Sequence, residues 1–537
     1  MKAAQVWSRA ASLVPAVGWW TGAAMLLVAA LASATLLQFE FGAARLQPIA
    51  IDEWYFLSCA ARGLAVGQVP IAGCHDTKSP LIFLVHQWVQ PSAWAYDIVR
   101  VKVAAFGASA LLTAAAATLA HRMGGRLAAV VTAALMLLVF LSDRHLYALK
   151  TELLGSVFML AALWPLVVAR GLPGPAAWAL SGLLFGFALM SKQSFVFAMV
   201  GSMAWWCWAT VRGRVTPGRG AFALLLFGVA SLLPIAALAA VFQSQGKLVD
   251  FLLSTFVYPT VYSAQVPGSA LNQLAWKAGA VADYMQAVPL VVMLFLGSMA
   301  WLAQGSRHGK PHWLNEASPV VAAALGMLLM LLVAPILFAY HALPAWALMA
   351  AVGGAAASRL LQAPPVRIRR VVAAVLLVAV AIQSLQGWIT TGGKAGVGDA
   401  GAVVPRLVIE PGDYGYVVGT WPAFFVVTRL VPASDVMYPN ALPGAPASWA
   451  YTPPDSATSK GRRLIALQEQ NAIALRDDFK RTPPRYVMVV DALARAPGSS
   501  RVTDIEVLET YLHERCRLDR EVPGGVFERG RLYVCER

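Results

Sequence analysis

Eleven apolar runs, each long enough to cross a bilayer as a helix, fill most of the first 387 of 537 residues and leave few folds open. A spanning helix needs about 20 mostly apolar residues. The runs lie near 15–38, 99–120, 126–142, 152–169, 175–191, 194–211, 220–242, 287–304, 317–338, 342–358 and 370–387. Composition agrees: 58% of residues are hydrophobic and 13% charged, whereas a soluble chain has about a quarter charged. A soluble enzyme, a disordered chain, a coiled coil and a disulfide-rich miniprotein are thereby excluded. The first run is too long for the apolar part of a typical signal peptide and ends in no clean small-residue cleavage site. It is expected to remain as the first helix.

The formal charge is +15, which would suit nucleic acid if it were spread over one surface. It is not. Residues 1–387 hold 24 Lys/Arg and 10 Asp/Glu, while residues 388–537 hold 18 and 17. With the N-terminus in the cytoplasm, the inner segments carry 14 basic residues and one acid, Glu316, and the outer segments 10 and 9. This positive-inside asymmetry accounts for the excess without nucleic acid. Eleven spans then leave residues 388–537 outside the inner membrane. Two outer loops, 40–98 and 243–286, are long and mix aromatics with charge, as helices lying in the interface plane do.

The tail carries strand-like runs at Tyr414–Gly419, Phe424–Thr428, Tyr486–Asp491 and Arg531–Cys535. Helical periodicity covers Gly461–Phe479, and Thr503–His513 is a further helix candidate. The expected architecture is an α-helical polytopic membrane domain over 1–387. A small periplasmic α/β domain of parallel character follows over 388–537.

Five cysteines are present. Cys516 with Cys535, and Cys59 with Cys74, lie on the side expected to be external, where disulfides persist. Cys207, inside an apolar run, reads as a packing residue. No Cys/His spacing resembles a zinc site.

Ionisable groups inside a membrane domain are functional suspects. Here they avoid the helix centres and gather where helices meet the outer face. Asp52-Glu53 opens the first loop ahead of Trp54-Tyr55-Phe56. A carboxylate pair can supply a general base if partly desolvated, or simply cap a helix. Lys78 sits in a Pro-bounded turn near His75 and Asp76, suited to a phosphate or to snorkelling at headgroup level. Arg100 opens the second span. Arg144, Lys150 and Glu152 lie between the third and fourth, and Lys192 between the fifth and sixth. Together they form a cationic ring with Asp52, Glu53 and Glu152 beside it, fit for a lipid-linked phosphate. Tyr340 and His341 join from the outer ends of the ninth and tenth spans. Asp52, Glu53, His75 and Asp76 could also hold a divalent ion.

Acid-acid-aromatic after the first helix, Lys78-Ser79-Pro80 in the same loop, and Arg144, Tyr147 and Lys150-Thr151-Glu152 before the fourth helix resemble the GT-C membrane glycosyltransferases. Within these the nearest likeness is to the protein O-mannosyltransferase and lipid A aminoarabinose transferase group. The Gly182-x-x-x-Gly186 stretch ahead of Ser191-Lys192 looks similar as well. The likeness covers about residues 10–390, and it departs at Ser79, where the group has proline, a change expected to loosen the turn. The resemblance implies transfer of a sugar from a polyprenyl-phosphate donor to a hydroxyl or phosphate of a lipid, glycan or protein on the outer membrane face. It implies Asp52 as base with Glu53 beside it and Lys78 on the carrier phosphate. Arg144 and Glu152 would line the cavity, Lys192 would touch an anion, and no cofactor or metal would be essential.

Two other readings compete. A polyprenyl-linked glycan or lipid transporter would show repeats and midplane charges, and neither is seen. A non-catalytic envelope assembly protein would not need these charges at one depth.

Overall fold

The structure, a computed structural model, describes residues 14–43, 51–68, 78–143, 146, 148–168, 173–257, 270–305, 313–334, 338–362, 366–392, 407, 409–410, 412–418, 423–437, 442–443, 454–490, 505–523 and 529–536. The membrane domain is built of helices α1 (Val14–Ala43), α2 (Ile51–Val66), α3 (Leu81–Val89), α4 (Ile98–Ser142), α5 (Thr151–Val168), α6 (Pro175–Ser191), α7 (Val196–Val211), α8 (Pro217–Ser244), α9 (Ala270–Ala287), α10 (Pro289–Gly305), α11 (Trp313–Val333), α12 (Leu343–Gln362) and α13 (Val366–Gly392). A helix coincides with each of the eleven apolar runs, two of them in α4. Gly125 breaks α4 at φ 81°, a conformation that glycine adopts without steric cost. Among the described residues five helices are long and apolar enough to cross a membrane, six if the bent pair Asn272–Ala287 and Pro289–Trp301 is one span.

Helix α12 is the centre. Every residue from Leu343 to Ser358 is buried, as expected of a helix that is apolar all round. It packs against α4, α10 and α11. Small residues let the backbones close up elsewhere: a side chain on Gly182 of α6 would run into the backbone of Phe227 on α8. Helix α9 turns 101° from α10 and exposes Leu274 and Trp276.

The two ends of the bundle differ chemically. At one end Arg122 Nη2 donates to the carbonyl of Val168 (3.0 Å) and Arg359 Nη2 to that of Met123 (2.9 Å), capping helix ends with cations. The other end carries Asp52, Lys78, Lys150, Glu152, Lys192 and His341, and above it sits the C-terminal domain.

That domain holds β1 (Tyr414–Val418), α14 (Ala423–Thr428), β2 (Val431–Pro432), α15 (Ser459–Arg481), β3 (Pro484–Val490), α16 (Glu506–Arg515), β4 (Cys516–Pro523) and β5 (Arg529–Cys535). Its sheet runs β2-β1-β3-β5-β4. The first three strands are parallel, but β5 is antiparallel to both β3 and β4, so the expected parallel character gives way to a mixed sheet. Phe424–Thr428, read as a strand, is helical. Strand β4 was not foreseen.

Cys516 and Cys535 are disulfide-bonded and face each other across β4 and β5. Cys59 is also disulfide-bonded, and its expected partner Cys74 lies outside the described residues. Cys207 is a free thiol on the exposed surface of α7, not the packing residue expected: its helix presents that face outward, and small apolar residues occur on lipid-facing as on buried surfaces.

Candidate active site

Helix α2 begins at Ile51, so Asp52 and Glu53 fall in its first turn, where carboxylates complement the helix dipole. Both carboxylates therefore favour the helix start by charge, yet this does not exhaust either residue. Asp52 Oδ1 lies 3.3 Å from Lys78 Nζ, and Oδ2 lies 3.3 Å from Lys150 Nζ and accepts from the Tyr340 hydroxyl at 3.1 Å. Burial alone would raise the Asp52 carboxyl. The two lysines and the tyrosine outweigh it and hold Asp52 below the usual carboxylate range. Glu53 turns the other way: it is buried, and its Oε1 accepts from the backbone N–H of Leu149 at 3.0 Å. It ties the segment that delivers Lys150 and Glu152 to α2.

A second carboxylate completes the cluster. Glu152, in the first turn of α5, pairs with Lys192 and accepts from His341 Nε2 at 3.2 Å and from Thr151 Oγ1 at 2.8 Å. His341 Nδ1 accepts from the Phe338 N–H, which leaves Nε2 to carry the proton toward Glu152. Burial, with Lys192 adding to it, pushes His341 down to about 3, so the ring is neutral at pH 7. The halves are joined through Tyr340, whose ring lies 3.6 Å beneath Lys150 Nζ. Lys78 and Lys192 are about a quarter exposed, whereas Lys150 is buried. The cations that remain reachable thus flank carboxylates at the mouth of the cluster.

Lys78 is held in register by its neighbour. Ser79 is fully buried, and its hydroxyl donates to the Leu189 carbonyl at the end of α6 at 3.2 Å. The turn is anchored where a looser one was expected. Asp52, Lys78, Lys150, Glu152, Lys192, Tyr340 and His341 thus converge from α2, two loops, α5, α6 and the entry to α12. Arg100 does not join them: it is 60% exposed and pairs with Asp97 at 3.1 Å, one turn away on its own helix. Its proximity in sequence to a span end placed it at the right depth but on the wrong face. Arg144, His75 and Asp76 lie outside the described residues. Among the described residues no group of three or more His, Cys, Asp or Glu could hold a metal ion.

Sequence reasoning passed over Thr151 and Arg62. The first was legible only as part of Lys150-Thr151-Glu152. The second is the one charge in the Leu57–Val66 stretch of α2, an isolation that could have marked it. Arg62 sits at the far end of the helix that carries Asp52, where the C-terminal domain rests.

No protein-family profile and no curated protein sequence matches the chain. Solved structures do. The chain is similar to ArnT from Cupriavidus metallidurans in the apo state, with a TM-score of 0.57 at 12% identity over 94% of this chain and 97% of that one. It is similar to the same enzyme bound to undecaprenyl phosphate, with a TM-score of 0.54 at 12% identity and the same coverage. It is also similar to the apo oligosaccharyltransferase of Archaeoglobus fulgidus, with a TM-score of 0.54 at 13% identity over 96% of this chain and 74% of that one. At such identity the likeness speaks to architecture, and the chain has the GT-C fold of these membrane enzymes.

Proposed function

We propose that the chain is an integral membrane glycosyltransferase that moves a hexose or pentose from a polyprenyl-phosphate carrier to a lipid, glycan or protein acceptor. Asp52 carries this reading: a carboxylate held between two lysines, one of them partly exposed, beside a second carboxylate paired to a third lysine. The solved relative bound to undecaprenyl phosphate supports a carrier of that class. In the proposed arrangement the membrane domain has eleven spans with the N-terminus in the cytoplasm. The site and the C-terminal domain lie on the outer face of the inner membrane.

The chemistry follows from these groups. The acceptor oxygen attacks the anomeric carbon, the bond from that carbon to the phosphate oxygen breaks, and the phosphate departs with the electron pair. Negative charge gathers on the leaving group, so Lys78 and Lys192 favour the transition state over the ground state. As the carrier phosphate takes Lys78, Asp52 Oδ1 is released to accept the acceptor proton, with Lys150 and Tyr340 still fixing its other oxygen. One base and one displacement invert the anomeric centre. Three lysines face two carboxylates in the cluster and leave a positive charge for the phosphate, and no essential metal is invoked.

Native mass spectrometry and transfer assays on the purified protein test this. Wild type should carry polyprenyl phosphate, Lys78→Ala should lose it, and Asp52→Asn should keep it while transfer falls on the order of a hundredfold or more. A carrier retained regardless of Lys78, or none in wild type, would move the weight to transport or to a non-catalytic role. Full turnover in Asp52→Asn would remove the base assignment.

A further inference from the structure

The C-terminal domain rests on α2, the same helix whose first turn presents Asp52. Its contact is a buried polar knot, unlike the apolar packing around it. Arg62 is 4% exposed, and its three nitrogens go to three separate acceptors. Nε donates to Asp435 Oδ1 at 3.1 Å, Nη1 to Thr482 Oγ1 at 3.1 Å, and Nη2 lies 3.7 Å from Asp478 Oδ1. The guanidinium also lies over the ring of Tyr414, 5.8 Å from its centroid. The receiving side is itself rigid: Asp478 accepts from the Ser434 hydroxyl and the Asp435 N–H, and Thr482 donates to the Ala433 carbonyl. Alongside, Tyr96 donates to the Leu430 carbonyl at 2.7 Å, and Trp94 packs edge-on to Tyr414.

Such a knot is a costly way to glue two surfaces. A buried ion pair is often no more stabilising than apolar residues of the same volume. It does fix direction and register, because a planar fork meets its acceptors in one orientation only. We infer that Arg62 is a positioning residue through which the C-terminal domain sets the axial and rotational placement of α2, and with it the reach of Asp52 to Lys78 and Lys150. Ten residues of helix, about 15 Å at 1.5 Å per residue, separate Arg62 from Asp52. A rotation at one end is carried to the other because α2 is buried along most of its length. Misplacement by about 1 Å is enough to cost on the order of a hundredfold in rate.

This inference rests on the transferase reading for its kinetic arm but not for its structural one. Arg62→Lys keeps the charge and loses the fork, and Thr482→Val removes one acceptor while leaving the ion pairs. In the full chain in detergent, Arg62→Lys should lower kcat at least tenfold with carrier KM within twofold of wild type, and Thr482→Val should fall between. Hydrogen exchange should quicken across the whole of α2, including the turn after Asp52, while strand β3 stays as protected as in wild type. Unchanged kcat and unchanged exchange near Asp52, with only a lower Tm, would reduce Arg62 to a structural contact and overturn the inference. An equal loss in carrier binding would overturn it too. If wild type transfers no sugar at all, the transferase reading fails, and exchange near Asp52 alone decides the coupling.

Discussion

Asp435 and Asp52 are both carboxylates beside cations, and the surroundings push them in opposite directions. Asp52 lies within 3.3 Å of two lysines. Asp435 is partly buried and shares Arg62 with Asp478, so desolvation and the neighbouring carboxylate outweigh the guanidinium and raise it to about 6. A carboxyl with a folded value above its unfolded 3.8 binds its proton more tightly in the folded chain. Its contribution to stability is complete below the unfolded value and is lost as pH rises through about 6. Asp435→Asn abolishes that loss. Thermal unfolding should show the Tm of the variant gaining on wild type between pH 4 and pH 6, and a constant gap across that range would contradict the shift. At this scale the sequence was informative where charge stood next to a span end. Asp52, Lys78, Lys150, Glu152, Lys192, Tyr340 and His341 could all be named from depth alone. Depth does not say which way a side chain turns: Arg100, at the same depth, pairs with Asp97 on its own helix, and Glu53 turns to the Leu149 N–H.

Between elements, close approach depends on what is missing. Helices α6 and α8 meet at Gly182 and Gly186, whose absent side chains leave room for the backbone at Phe227 and Ser231. Gly182→Ala should separate the pair and cost about 1–3 kcal/mol, the usual penalty for overpacking. Gly228, on α8 with open space around it, is the control, and its alanine variant should be neutral or slightly stabilising. Equal Tm values for the two variants would show that the α6–α8 approach is not tight. Helix positions were legible because a membrane helix announces itself by length. The tail had no such signal. Phe424–Thr428 is a short, wholly apolar run, which periodicity cannot assign to strand or helix. Cys516–Pro523 carries four charges and is exposed from Arg517 to Glu521, because β4 is an edge strand, and so it reads as loop.

For the whole molecule, the proposed orientation rests on charge: the basic helix caps Arg122 and Arg359 lie at the end of the bundle opposite Asp52. In a Cys207→Ser background, a cysteine replacing exposed Ser456 in the C-terminal domain should react with an impermeant maleimide added to intact spheroplasts. One replacing exposed Arg214 should react only after the membrane is opened. The reverse pattern would invert the topology and put the site on the cytoplasmic side. The presence of a separate C-terminal domain could be read from composition and charge balance, but its seat on α2 could not. That docking joins residues far apart in the chain, and no local pattern encodes it.

The knot at Arg62 also sets a timetable. Arg62 and Asp435 are 373 positions apart, so α2 is made long before its anchor exists. During synthesis the lysine-clamped carboxylate waits on an unbraced helix. The piece of chain that locks it is made only after all eleven apolar runs, and under the proposed coupling a product truncated before residue 388 would hold the charged groups of the site without their brace.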